Sequence, residues 1–64
     1  MDYHAITFDV AEGVALIRLN RPQVKNALNT RMRIELTHAV KAAERVARVV
    51  VLTGSGDAFC AGQD

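Results

Sequence analysis

Residues 49–54 read Val49-Val50-Val51-Leu52-Thr53-Gly54 and run straight into Ser55-Gly56-Asp57-Ala58-Phe59-Cys60-Ala61-Gly62-Gln63-Asp64. Four successive apolar β-formers predict a strand, Val49–Leu52, covered on both faces, as in a sheet with helices packed beside it. Thr53-Gly54 closes the strand, and a loop bearing two further glycines follows. Upstream, Asn29 or Thr30 can cap a helix, because either side chain accepts a hydrogen bond from the exposed N–H groups of a first turn. That helix runs to about Arg45. Met32, Leu36, Ala39, Val40, Ala43 and Ala47 keep one apolar stripe at helical spacing, and Arg33, Glu35, His38, Lys41 and Glu44 lie mostly off it. Before the helix, Val14–Leu19 (VALIRL) is a second apolar strand. Strand, helix, strand in that order predicts a βαβ crossover, with the two strands parallel.

The remaining segments fit around that unit. Tyr3–Phe8 alternates loosely, is β-branched and aromatic, and reads as a strand. Asp9 to Gly13 reads as a turn-type connection, giving an antiparallel hairpin with a longer loop. Pro22 has no N–H and cannot sit within a sheet, so the chain leaves the sheet at Asn20-Arg21-Pro22. Val24–Leu28 is then a loop leading to the helix. The predicted class is α/β: β-hairpin, helix, parallel strand.

Composition narrows the function classes. The chain has 64 residues, half of them hydrophobic. A domain this short buries only about 60% of the surface its unfolded chain exposes. With one cysteine, Cys60, and two histidines far apart, neither an internal disulfide nor a metal set can staple it. The expectation is the N-terminal piece of a longer domain, or a small chain needing partners. Eight basic and seven acidic residues leave a net charge of +1, which gives no reason to propose nucleic acid as a partner. Arg18, Arg21, Lys25, Arg31 and Arg33 do gather on a short span, either as a solvated face or as an attraction for an anionic ligand. The longest apolar stretch, Val46–Leu52, is broken by Arg48 and falls far below the ~20 residues of a membrane helix. No export signal opens the chain, and a lone cysteine suits a reducing compartment, so the expected location is cytoplasmic.

The loop after Leu52 is where chemistry is expected, since ligand sites in α/β proteins lie beyond the carboxyl ends of strands. Ala61-Gly62 presents nearly bare backbone there. If a helix begins just after Asp64, N–H groups near Gln63 point outward at its N-terminus and stabilise negative charge. Three familiar loops are excluded by spacing. No Gly-Lys-Ser/Thr follows, glycines 54, 56 and 62 do not fit G-x-G-x-x-G, and Ser55 is not framed as G-x-S-x-G. A glycine-bearing surface turn is the plain alternative.

Three motifs in order carry a resemblance: Arg21-Pro22-Gln23-Val24-Lys25-Asn26-Ala27-Leu28-Asn29, then Val49 to Gly54, then Ala58-Phe59-Cys60-Ala61-Gly62-Gln63-Asp64. Together they resemble the start of the crotonase, or enoyl-CoA hydratase/isomerase, superfamily, over nearly the whole chain. The ending Ala58 to Asp64 is most similar to members acting in phenylacetate breakdown. The resemblance implies an acyl-coenzyme A thioester substrate whose carbonyl is polarised by two backbone N–H groups, stabilising the thioester enolate. It implies that the first donor is the main-chain N–H of Gln63, directly after the Ala-Gly pair. Ala61, Gly62 and Asp64 then lie with Gln63 against the acyl-CoA. The Val24-Lys25 loop contacts the coenzyme A portion, and Lys25 can meet a phosphate. No separate cofactor and no metal are implied, coenzyme A being part of the substrate. A homotrimer or hexamer is implied for the whole protein.

Other residues read as structural. Cys60 is a small buried hydrophobe. On its own chemistry Asp64 is a helix cap or loop brace. Asn26 fixes its loop by side-chain to backbone bonds. His4 and His38 have no visible partner, and Met32 is core. The family fold needs three to four times this length, and its second oxyanion donor and acid/base carboxylates come later. Residues 1–64 are therefore one fragment of a single domain, expected to be inactive alone. A non-catalytic crotonase-like piece serving as an assembly or interaction module is the alternative. The chain also departs from the family at Ala43–Arg48, where members usually carry an acidic, turn-forming break. Here there is no Gly, Pro, Asn or Asp, so the helix is expected to stop at about Ala43 to Arg45, with Val46-Ala47 as the turn.

Overall fold

The computed structural model describes residues 2–56 and Phe59. Strands β1 (Ile6–Ala11) and β2 (Val14–Leu19) come first, then a 3-10 turn (Pro22–Val24), helix α1 (Thr30–Val46) and strand β3 (Val49–Gly54). The sheet order is β1-β2-β3. β1 and β2 pair antiparallel from Ile6↔Leu19 to Ala11↔Val14. β2 and β3 pair parallel from Val14↔Val49 to Leu19↔Gly54. The predicted hairpin and βαβ crossover are both present, and β2 starts and stops where the sequence indicated.

Side-chain alternation decides what β2 buries. Ala15, Ile17 and Leu19 point to one face and are buried, and Ile6 and Phe8 stand opposite Leu19 and Ile17 on the same face. Helix α1 covers that face. Ala5, Ile6, Ile17, Leu19, Met32 and Ala39 form the core, flanked by Tyr3, Phe8, Leu28 and Leu36. Ala39 and Ala43 present no bulk, so the helix axis can approach the sheet closely. Asn29 is the N-cap, its Oδ1 accepting from the Met32 N–H at 2.8 Å.

Four expectations are corrected. The first strand begins at Ile6, not Tyr3, because the His4 and Ala5 N–H groups turn away to the Glu35 carboxylate, at 2.8 Å each. It runs on to Ala11, and the connection is the tight pair Glu12-Gly13, with φ of 52° and 80°. Positive φ at both central residues matches the right-handed twist of a two-residue hairpin. Second, the helix ends at Val46, one residue past Arg45, and Ala47-Arg48 connect it to β3, with Ala47 extended (φ −134°, ψ 153°) and the bend at Arg48. What stops it is tertiary. The Arg48 N–H donates to the Gly13 carbonyl at 2.7 Å, and the Val49 N–H reaches the same oxygen at 3.3 Å.

Third, β3 includes Thr53 and Gly54 and is an edge strand. Val49, Val50, Val51 and Leu52 are each 41–52% exposed, so neither face is covered within the described residues. Helix α1 lies over β1 and β2 instead. Fourth, two side chains read as surface groups have partners. Glu35 is only 2% exposed and also accepts from Arg31 Nε at 2.7 Å. The Tyr3 hydroxyl lies 2.8 Å from His38 Nδ1, and the Tyr3 ring meets Phe8 edge-on with centroids 5.9 Å apart.

Candidate functional site

Two chain segments leave the sheet at the carboxyl ends of β2 and β3, and they are fastened together. The first is built around Pro22. With no N–H to give a ladder, it starts the 3-10 turn, and the Lys25 N–H closes on the Pro22 carbonyl at 3.1 Å. Lys25 and Asn26 then both take left-handed backbone angles, φ 52° and 59°. Asparagine tolerates that region because its short side chain bonds locally. The Asn26 N–H returns to the Arg21 carbonyl at 2.8 Å, and the Arg21 guanidinium donates to the Ala27 carbonyl. The loop is thus closed at its neck before α1 begins.

Asn26 is fully buried and works in two directions. Its Oδ1 accepts from the Arg21 N–H at 2.8 Å, within its own loop. Its Nδ2 donates to the Ser55 carbonyl at 2.8 Å, 29 positions along the chain. Ser55 holds the other side of the junction. Its N–H donates to the Leu19 carbonyl at 2.9 Å, extending the β2–β3 pairing, and its Oγ lies 2.6 Å from the same oxygen and 3.1 Å from Asn20 Oδ1. That hydroxyl is engaged in structure, consistent with its exclusion as a nucleophile. Gly56 completes the contact. At φ 82° it sits where an added Cβ would lie 3.1 Å from Pro22 Cβ.

Val24 and Lys25 are exposed. Ala61, Gly62, Gln63 and Asp64 lie outside the described residues, as does Cys60. Of the expected site residues, the described part of the chain therefore includes Val24 and Lys25 alone, together with the exit of β3. Among the described residues no three His, Cys, Asp or Glu side chains could hold a metal, and no helix is long and apolar enough to cross a membrane. A depression of about 490 Å³ lies beside the first turns of α1, lined by Asp2, Thr30, Arg31, Ile34 and Glu35. It includes none of the expected site residues.

Sequence reasoning assigned Asn26 to its own loop and missed its reach to Ser55. It also missed the guanidinium of Arg21 as the brace of that loop. The available signal was the pairing of Asn26 with a preceding lysine in a turn that lacks glycine.

Comparison with known proteins agrees with this geometry. The sequence profile of enoyl-CoA hydratase/isomerase matches residues 9–64. A probable enoyl-CoA hydratase of Rhodobacter capsulatus is 58% identical over 64 residues, covering 100% of this chain and 25% of that protein. The 1,2-epoxyphenylacetyl-CoA isomerase of Escherichia coli is 44% identical over 57 residues, covering 86% of this chain and 22% of that protein. The crystal structure of an enoyl-CoA hydratase/isomerase from Mycobacterium paratuberculosis superposes with a TM-score of 0.94 at 40% identity, over 98% of this chain and 26% of that one. The chain thus spans about a quarter of the length of the relatives it matches. A hairpin, a capped helix and a parallel strand in this register, with this sequence upon them, place the chain in the enoyl-CoA hydratase/isomerase family.

Proposed function

We propose that this chain supplies one wall of an acyl-coenzyme A site, in a protein that hydrates or isomerises an enoyl thioester. The main-chain N–H of Gln63 donates to the thioester oxygen and stabilises the negative charge that develops there as the enolate forms. Ala61 and Gly62 leave room for the thioester to approach that backbone, and Asp64 lies beside it. Val24 and Lys25 contact the coenzyme A portion. Coenzyme A enters as part of the substrate, and the chemistry uses no separate cofactor. The second oxyanion donor and the acid/base groups come from outside residues 1–64. On this reading the whole protein is a cytoplasmic homotrimer or hexamer. The likeness to a 1,2-epoxyphenylacetyl-CoA isomerase favours phenylacetate-derived thioesters among its substrates.

One observation carries the reading. The buried Asn26 holds the exposed Val24–Lys25 loop against the exit of β3, the strand that leads into residues 57–64. A ligand long enough to touch both segments suits that arrangement, and an acyl-CoA has such a length. The test is trans-2-butenoyl-CoA turnover by the protein carrying this segment in its complete domain. Gln63→Pro, which deletes the amide proton, is expected to lower kcat by about 10²–10³-fold. Gln63→Ala keeps the amide and loses far less. Equal losses in the two variants would contradict a main-chain role.

A further inference from the structure

We infer that Asn26 is a positioning residue: it sets the separation between the Val24–Lys25 loop and the exit of β3, so that one ligand can engage both. The inference rests on the acyl-CoA reading above and adds a coupling between its two halves. Three observations converge on it. Asn26 is fully buried, although it sits in a loop whose neighbours Val24 and Lys25 are exposed. Its two polar atoms face different segments, Oδ1 toward the Arg21 N–H and Nδ2 toward the Ser55 carbonyl. The same two segments touch again at Gly56 and Pro22, where an added Cβ would come within 3.1 Å of the Pro22 ring.

The chemistry of the amide explains why this residue type is suited to the position. It must accept from one main-chain N–H and donate to one main-chain carbonyl while its own backbone is left-handed at φ 59°. Aspartate matches the shape and accepts from Arg21, but its carboxylate oxygen would face the Ser55 carbonyl without a proton. Glycine keeps the backbone angle and loses the side-chain bonds to Arg21 and Ser55. The bond to Ser55 links positions 29 apart, so its loss loosens the loop's hold on the exit of β3 while the ladder between β2 and β3 stays paired. Misplacement of a bound substrate by about 1 Å can cost on the order of 10²-fold in rate.

The experiment compares wild type with Asn26→Gly, Asn26→Asp and Gly56→Ala in the protein carrying its complete domain. It measures free coenzyme A binding, kcat with saturating trans-2-butenoyl-CoA, and thermal stability. Uncoupling predicts that Asn26→Gly binds free coenzyme A within about threefold of wild type, while kcat per folded molecule falls about 10–100-fold. Gly56→Ala, which presses a methyl group onto Pro22, is expected to show the same split. In Asn26→Asp the loss shrinks as pH falls through the aspartate pKa, because the protonated acid can donate to the Ser55 carbonyl again. That recovery decides the matter should Asn26→Gly fail to fold. A lowered melting temperature with kcat within about twofold of wild type, and an Asn26→Asp to wild-type ratio flat with pH, would overturn the inference. Wild type that binds neither coenzyme A nor the thioester would overturn instead the reading on which it rests.

Discussion

Two polar side chains are buried among the described residues, Asn26 and Glu35, and each gathers main-chain groups from a distant segment. Glu35 fixes the entry to β1 by taking the His4 and Ala5 N–H groups on one oxygen and Arg31 on the other. Burial by itself would raise its pKa, but the Arg31 hydrogen bond, the two amide donors and the Arg31 charge outweigh that and hold it below its ordinary 4.5. A carboxyl whose folded pKa lies below its unfolded one stabilises fully above the unfolded value. The contribution is lost as pH falls from about 4.5 through the lowered folded value. Glu35→Gln is therefore expected to lower stability by about 1–3 kcal/mol near neutral pH. Melting curves should show the gap to wild type closing below pH 4.5, and a gap constant across that window would contradict it. Neither burial was fully legible in the sequence. Helical spacing put Glu35 beside the apolar stripe, and only the fold reveals that the His4 and Ala5 N–H groups come within its reach. Asn26 was legible as a loop brace because asparagine favours left-handed turns, but a bond to Ser55 depends on tertiary placement.

At the scale of elements, β2 and the start of α1 were legible because their signals are local: a β-branched apolar run ended by Pro22, and an asparagine cap. Asn29→Ala is expected to cost about 1 kcal/mol, measured by denaturant unfolding, since the Met32 N–H loses its acceptor. The hairpin turn was misplaced because Glu12-Gly13 lacks the usual asparagine or aspartate signal, though both residues adopt positive φ. Replacing Glu12 with asparagine restores that signal and should stabilise the protein by about 0.5–1 kcal/mol. No gain, or a loss, would show that the Glu12 side chain does more at the turn than its backbone angle implies. The end of α1 has no signal in its own residues. It is set by the Gly13 carbonyl, which takes the Arg48 N–H from across the fold. A helix stopped by another element's acceptor is invisible to any reading of caps and breakers.

At the scale of the whole molecule, the sheet formed by the described residues ends in an apolar edge. Val49–Leu52 read as a strand covered on both faces, yet all four are exposed, and among the described residues no further strand pairs with the outer edge of β3. Such an edge pairs readily with another chain. The 64-residue chain by itself is expected to sediment above its 7.0 kDa monomer mass. Val50→Lys with Val51→Lys should shift it toward monomer, and a monodisperse wild-type monomer would contradict the expectation. The run was read correctly as a strand, but the expected cover on both faces is absent among the described residues, because α1 packs over the hairpin and not over β3. The same topology sends two loops off neighbouring parallel strands at one end, with one buried amide between them. The most direct measurement is a crystal structure of the complete protein with a bound acyl-CoA. The account predicts the thioester oxygen about 3 Å from the residue 63 amide nitrogen, with the coenzyme A chain against Val24 and Lys25. A thioester oxygen facing no main-chain donor from that segment, or a coenzyme A chain bound away from the Val24–Lys25 loop, would contradict it.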